Sequence, residues 1–290
     1  MSLYTMQQII EAAEQKGVKI SDIALEIESK ESGLSAEEIK KRMYCNYAVM
    51  KDSVSNGINK AIPSVSGLTG GEGYRLWQER GKGLSGETIL SAASRAMAVS
   101  NVNASMGKIV AAPTAGSCGI IPGVLMTVGE RLGKPDEEIA ESLITTAVVG
   151  KIIAQNATLA GAEGGCQAEC GAASAMAAAA AVQLSGGTPS QAGDAAAIAM
   201  KGVMGLVCDP VAGLVEVPCI KRNSFGAAQA ILAADMAMSG IKSVIPVDEV
   251  IKAMGEVGHA MPVELRETSM GGLAATNTGK MLEEKLMKKG

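Results

Sequence analysis

The sequence is poor in aromatic side chains, with one Phe, one Trp and four Tyr among 290 residues. It also lacks an excess of charge of either sign, since 26 Lys and Arg residues stand against 30 Asp and Glu residues. A protein that binds nucleic acid needs a basic surface, and often aromatic rings on which bases stack. Both features are missing, so we expect no nucleic acid partner.

A leader segment and a long apolar run are missing as well. The first eight residues contain no basic stretch followed by a hydrophobic segment, so they do not resemble a signal peptide. The longest largely apolar run, 172–182, is dominated by alanine and is well short of the roughly 20 residues that a spanning helix needs. We therefore expect a cytoplasmic protein without membrane contact, whose six cysteines stay reduced.

Strict alternation of polar and apolar residues, the pattern of a half-buried strand, does not occur over any length. Apolar residues recur at helical spacing instead, as in Met6, Ile9, Ile10 and Ala13, whose helical face ends at Gly17. The sequence thus predicts an all-α fold with a single, predominantly helical domain.

The predicted organisation has three parts. N-terminal helices over residues 1–60 continue into a main domain over 61–280, and a charged tail follows over 281–290. Ser35 followed by Glu38 forms a capping-box pattern that predicts a helix running toward Met50.

Neither of two common nucleotide-binding motifs is complete in this sequence. The stretch 81–86 matches G-x-G-x-x-G, but the charged segment 75–80 precedes it where a buried strand is required. No Gly-Lys pair is followed by Ser or Thr, as a phosphate-binding loop demands. We expect no nucleotide site and interpret 81–86 as a flexible hinge.

Three cysteines lie in or beside loops rich in glycine or proline: Cys166, Cys208 and Cys219. Such loops leave backbone N–H groups free to bond to the sulfides of a cluster. Their wide spacing does not fit the short C-x₂-C pairs of structural zinc sites and ferredoxins. A metal site and three buried thiols in an alanine-rich core are both consistent with this pattern. Cys45 lies in the middle of a predicted helix, where we expect a buried structural thiol.

Four longer segments resemble the iron–sulfur-dependent L-serine dehydratases. They are 103–122 (NASMGKIVAAPTAGSCGIIP), 156–167 (NATLAGAEGGCQ), 208–223 (CDPVAGLVEVPCIKRN) and 267–274 (ETSMGGLA). The resemblance extends from about residue 50 to residue 275, and the chain length is similar to that of the separate alpha chain of the two-chain form. It implies a separate beta chain as partner, L-serine as substrate and a hetero-oligomer or homo-oligomer.

The resemblance also implies a [4Fe-4S] cluster, and no pyridoxal phosphate, with Cys166, Cys208 and Cys219 at the positions of the family's ligands. Cys118 and Cys170 are left out of this ligand set. Single-chain relatives have a cysteine shortly after the Gly-Gly-Leu-Ala motif, which can cap the fourth iron. This sequence continues without one, so its open iron must be covered by water or another group.

The activity implied is the conversion of L-serine to pyruvate and ammonia, a step of amino-acid catabolism that feeds gluconeogenesis. With three cysteine ligands, one iron keeps an exchangeable position and acts as a Lewis acid on the departing hydroxyl. A base must remove the Cα proton, and His259 and Lys151 are weak candidates. A structural role for either residue, or a base from the partner chain, is equally consistent with the sequence.

Substrate contacts are proposed in a loop that precedes a predicted helix. There, free N–H groups and the helix dipole suit a carboxylate, at Gly116, Ser117 and Gly119. Simple helix capping is the alternative for Ser117.

The resemblance adds further substrate candidates and leaves other functions open. The added candidates are Asn156, Ser269, Gly271 and Gly272. Three alternative functions remain: an L-cysteine desulfidase-like lyase with the same cluster, a non-catalytic iron–sulfur carrier or electron-transfer subunit, and a helical scaffold with buried thiols.

Overall fold

The computed structural model describes residues 4–288 and is all-α within that range. The ends of the two outer segments predicted above, residues 1–3 and 289–290, lie outside it. The described helices are α1 (Met6–Lys16), α2 (Ile20–Ser32), α3 (Ala36–Asn59), α4 (Glu72–Glu79), α5 (Gly86–Ala104), α6 (Ile120–Arg131), α7 (Asp136–Asn156), α8 (Gly161–Gly164), α9 (Ala172–Leu184), α10 (Pro189–Lys201), α11 (Cys219–Met238), α12 (Val247–Ala260) and α13 (Asn277–Met287).

Between residues 4 and 288 the chain forms isolated β-bridges but no strand. The all-α prediction is therefore confirmed. None of the helices in this range combines the length and the apolar character required to cross a membrane.

Local signals in the sequence set several helix ends as predicted. The Ser35 side chain accepts a hydrogen bond from the backbone N–H of Glu38, and the Glu38 side chain accepts one from the N–H of Ser35. This capping box satisfies two donors that the first turn of α3 leaves free. Helix α1 ends at Gly17, which adopts a left-handed conformation with φ 64°.

Other helices extend beyond their predicted limits. Helix α3 continues past Met50 to Asn59. Helix α13 crosses residue 281, where we placed the start of the charged tail. The added turns of α3 bury Val54 and Gly57, and such long-range packing is not encoded in local propensity.

Helix α9 occupies the centre of the molecule. Every residue from Ala172 to Val182 is buried, and the helix packs against α6, α7, α10 and α11. Its surface is apolar on all sides, as expected for a helix that is surrounded by others. Alanine side chains are short, so four neighbouring helices approach it closely without large aromatic residues to fill the gaps. The low aromatic content of the sequence therefore agrees with the close packing of these helices.

Close approach of helices also depends on glycine. Gly123 in α6 faces α5 so closely that an added Cβ would lie 2.7 Å from the carbonyl oxygen of Ala92 and 3.0 Å from the backbone N of Ala96. Because both atoms belong to a helix backbone, they cannot move aside as a side chain would.

Replacing Gly123 with alanine is therefore expected to destabilise the fold by about 1–3 kcal/mol through overpacking. The measurement is the midpoint of thermal unfolding. Gly81→Ala is the control, because nothing lies within 4 Å of a Cβ added there and no left-handed φ is required. Equal midpoints for the two variants would contradict the packing argument.

Candidate active site

Three separate elements bring the predicted cysteines, Cys166, Cys208 and Cys219, into one largely buried cluster, which we call the cysteine pocket. Cys166 precedes a π-helical turn at Gln167–Gly171, Cys208 lies in the loop after α10, and Cys219 is the first residue of α11. Burial raises the pKa of Cys208, and charges on Cys166 and Cys219 raise it further. Burial likewise raises the pKa of Cys219 to about 12. The three thiols are thus close enough to influence one another electrostatically.

A fourth thiol shares the pocket, although sequence reasoning left it out. The Sγ atoms of Cys170 and Cys166 lie 3.4 Å apart, because four residues of the π-helical turn bring both side chains to one face. A hydrogen bond from Cys170 lowers the pKa of Cys166, and the Arg222 guanidinium acts in the same direction.

The remaining two cysteines lie elsewhere. Cys45 is exposed on α3, so the prediction of a buried structural thiol there is wrong. The apolar face of α3 turns Tyr47 and Met50 inward and Cys45 outward. Cys118 is buried in a small apolar cluster with Val54 and Val99. Neither contributes to the cysteine pocket.

A buried ion pair connects the loop of Cys208 to the helix of Cys219. A guanidinium nitrogen of Arg222 lies 2.8 Å from Oδ1 of Asp209, whose side chain is 3% exposed. Arg222 also donates to the carbonyl oxygen of Val207 at 2.9 Å. Since Val207 and Asp209 flank Cys208, and Arg222 lies about one turn after Cys219, the ion pair sets the relative position of two thiols.

The second carboxylate oxygen of Asp209 binds the backbone of the segment 269–273. Oδ2 accepts a hydrogen bond from the N–H of Leu273 at 2.7 Å, and a Cβ on Gly272 would collide with this carboxylate. Gly272 also has φ 57°, a conformation that favours glycine. The Ser269 hydroxyl donates to the carbonyl oxygen of Pro210 at 2.7 Å. These contacts hold the segment 269–273 against the loop that carries Cys208.

Asn223 attaches the predicted substrate loop to the same helix. Its Oδ1 accepts from the N–H of Gly119 at 2.9 Å, and its Nδ2 donates to the carbonyl oxygens of Gly116 and Cys219 at 2.7 and 3.0 Å. The side chain is fully buried and uses both ends of its amide. The structure thus brings the 116–119 loop against Cys219.

Two backbone N–H groups of the 116–119 loop are already hydrogen-bonded, whereas the sequence predicts free donors there. The Gly119 N–H is taken by Asn223, and the Ser117 N–H points to the carbonyl oxygen of Thr114 at 3.4 Å. Backbone donors at these two positions are thus not free. The Ser117 hydroxyl lies 3.2 Å from that of Thr114, which itself donates to Oε1 of Glu169 at 2.6 Å.

Glu169 is the functional candidate that sequence reasoning missed. Its Oε1 accepts a hydrogen bond from the Thr114 hydroxyl at 2.6 Å, and its Oε2 lies 3.8 Å from Sγ of Cys208. Burial raises its pKa, and the negative charge of Glu267 adds to this effect. Its position three residues after Cys166 was the only available signal.

The remaining predicted residues lie outside this network of contacts. Asn156 is exposed at the end of α7 and donates to the carbonyl oxygen of Ile152 in its own helix. His259 is exposed on the last turn of α12. The Lys151 ammonium is held in ion pairs with Glu31 and Glu28, which gives it a structural role between α7 and α2.

The donors in the pocket fit a metal centre bound mainly through sulfur. Thiolates are soft ligands that select iron–sulfur clusters, zinc or copper, and Arg222 compensates the negative charge that such a centre carries. Carboxylate oxygens of Glu169 and Glu267 also lie within 4.8 Å of each other and of Cys208 Sγ.

Arg222→Met is expected to destabilise the protein by about 3–5 kcal/mol, because it leaves the Asp209 carboxylate buried without a cation. The measurement is the thermal midpoint under anaerobic conditions. The neighbouring Lys221, whose half-exposed ammonium lies 3.5 Å from Glu72, provides the control variant Lys221→Met. That change is expected to cost about 0–1 kcal/mol.

A second substitution tests the cause. Adding Asp209→Asn to Arg222→Met removes the unpaired charge and is expected to recover part of the lost stability. If the double variant is no more stable than Arg222→Met alone, the ion pair is not the source of the effect.

Comparison with known proteins assigns the family. A family model described as "Serine dehydratase alpha chain" matches residues 15–274. The chain is 50% identical to the probable L-serine dehydratase alpha chain of Bacillus subtilis, over 97% of this chain and 94% of the relative. It is 44% identical to the L-serine dehydratase alpha chain of Peptoniphilus asaccharolyticus, over 99% of both. It is 37% identical to the L-serine dehydratase of Streptomyces coelicolor, but covers only 60% of that protein. The chain belongs to the serine dehydratase alpha chain family.

Proposed function

We propose that this chain is the catalytic subunit of a lyase that converts L-serine to pyruvate and ammonia. The family match over residues 15–274 and the relatives named as L-serine dehydratase alpha chains support this reaction. The observation that carries the proposal is the pocket in which three widely spaced cysteines meet the 114–119 loop and Glu169. A separate beta chain is part of the proposal, because the relatives are named as alpha chains.

The proposed cofactor is a [4Fe-4S] cluster, held by Cys166, Cys208 and Cys219. When bound, such a cluster supplies an iron with an exchangeable position, which is a Lewis acid for the departing hydroxyl group. The ion pair of Arg222 and Asp209 maintains the spacing of the ligand loops. The Sγ of Cys170 lies 3.4 Å from that of Cys166, and we propose it as a neighbouring thiol that would not itself hold the cluster.

The reaction requires loss of the Cα proton and of the hydroxyl group, which gives 2-aminoacrylate. This enamine tautomerises and hydrolyses to pyruvate and ammonia. We propose that the Ser117 hydroxyl contacts the substrate, and that Gly116 leaves room for the neighbouring Glu169 carboxylate. Ser269 and Gly272 are assigned to the support of the Cys208 loop, because the Ser269 hydroxyl donates to Pro210 and Gly272 lies against the Asp209 carboxylate. Gly271 lies against the backbone of Glu264 and is assigned a packing role.

The general base is assigned to neither of the predicted candidates. His259 is exposed at the end of α12, and the Lys151 ammonium forms ion pairs with Glu28 and Glu31. Asn156 is likewise withdrawn from the substrate contacts, since its side chain is bonded to its own helix. We propose that the partner chain contributes the base.

Anaerobic reconstitution with iron and sulfide tests the proposal. Visible absorbance of a cluster and pyruvate formation from L-serine are expected, measured with and without a candidate beta chain. L-Cysteine is assayed in parallel, because preferential release of sulfide from it would favour a desulfidase instead. A bound cluster without turnover of either amino acid would favour an iron–sulfur carrier.

Cysteine variants test the ligand set. Cys166→Ser, Cys208→Ser and Cys219→Ser are each expected to abolish cluster absorbance and activity, because each removes one thiolate. Cys45→Ser is the matched control and is expected to keep both, since Cys45 is exposed on α3. Full activity of Cys208→Ser would overturn the assignment. Cys170→Ala separates a three-thiol from a four-thiol site, and we expect unchanged iron and sulfide content.

A further inference from the structure

Three carboxylates are buried between residues 4 and 288, and their partners differ. Asp209 is paired with Arg222. Glu216 accepts hydrogen bonds from the hydroxyls of Ser66 and Thr69 at 2.8 and 2.7 Å. Glu169 accepts one from the hydroxyl of Thr114. Among these three carboxylates of the described residues, Glu169 is the one that lies beside a cysteine of the pocket and has no basic side chain next to it.

The position of the Glu169 carboxylate is closely defined. A Cβ added to Gly116 would lie 2.8 Å from Oε1, and one added to Gly161 would lie 2.7 Å from Oε2 and 3.1 Å from Sγ of Cys208. Two backbone segments therefore close around the carboxylate, and Thr114 fixes one of its oxygens. The other oxygen, Oε2, is turned toward Cys208.

An anion in this position requires a cation to offset its burial. Glu267, the other carboxylate near Cys208, has an oxygen within 4.8 Å of one from Glu169 and adds negative charge there. Removing a carboxylate from water is costly unless an opposite charge and hydrogen bonds replace the lost solvation. An α-amino acid brings a compact cation with three N–H donors, which suits a single carboxylate oxygen.

We propose that Glu169 is the specificity-determining residue that receives the α-ammonium group of the substrate. The Thr114 hydroxyl is the positioning group, because it holds Oε1 and leaves Oε2 for the ligand. This inference rests on the proposed function, since it takes an amino acid as the ligand. It explains why the 114–117 loop, Glu169 and Cys208 are in contact: the three surround one small molecule that carries an ammonium and a leaving group.

The test uses two ligands of equal shape that lack a leaving group. L-Alanine carries an ammonium at Cα, and L-lactate carries a hydroxyl there. Both are titrated into the anaerobically reconstituted full chain, with its beta chain where turnover requires one. Binding is followed by the change in the electron paramagnetic resonance or absorption spectrum of the cluster, and by competition with L-serine.

The unmodified protein is expected to bind L-alanine more tightly than L-lactate. Glu169→Gln is expected to reduce that preference by about tenfold or more, the amount that a charge-assisted hydrogen bond provides. It is also expected to raise KM for L-serine more than it lowers kcat. Glu163→Gln is the matched control, because Glu163 is an exposed glutamate in the preceding helix α8 and is expected to leave the preference unchanged.

Two results would overturn the inference. One is an unchanged preference in Glu169→Gln. The other is a fall in kcat alone together with a changed isotope effect for serine deuterated at Cα, which would assign proton transfer to Glu169. If Glu169→Gln does not retain the cluster, Thr114→Val takes its place, and a preference equal to that of the unmodified protein counts against the inference.

Failure of the proposed function gives a different pattern. In that case the unmodified protein forms no pyruvate from L-serine, whereas the spectral titration still compares the ammonium and hydroxyl ligands. A preference for L-alanine that Glu169→Gln removes would then support ammonium recognition in an enzyme with another reaction.

Discussion

The buried ion pair of Arg222 and Asp209 is the interaction on which the geometry of the pocket depends. It connects a loop without regular structure to the first turn of α11, so that Cys208 and Cys219 keep a fixed separation. A buried ion pair contributes little net stability, because desolvation of both charges offsets their attraction. Its effect here is positional, since either charge left alone would be costly, and the loop therefore has one favourable arrangement.

Asp209 extends this constraint to the C-terminal part of the chain. Its second oxygen holds the backbone at Leu273, and Gly272 is needed because a side chain there would displace the carboxylate. Asn223 imposes a similar constraint, because its side chain attaches the 116–119 loop to α11. Four sequence-distant segments thus converge on two polar side chains near Cys219. Parts of three of the four motifs described above, 103–122, 208–223 and 267–274, belong to this network.

The alanine-rich core serves the same arrangement. Short side chains in α9 and glycine at contacts such as Gly123 allow helices to pack closely enough to surround a small pocket. An aromatic core would hold the helices further apart and would fill the space that the loops now occupy. The scarcity of aromatic residues and the closeness of the ligand loops are therefore two aspects of one packing solution.

The sequence by itself determined the helical class, the capped helix ends at Ser35 and Gly17, and the loops that carry the cysteines, because these follow from local patterns and residue chemistry. The family followed from the four long motifs. Only the tertiary structure decided that Cys170 joins the pocket, that Cys45 is exposed and that Glu169 faces Cys208. Those facts depend on which face of each helix is covered by distant segments, and on a π-helical turn that changes side-chain direction. The occupation of the Gly119 N–H by Asn223, 104 residues away, has the same origin: a local pattern shows that a donor exists, but a long-range contact determines whether it is free.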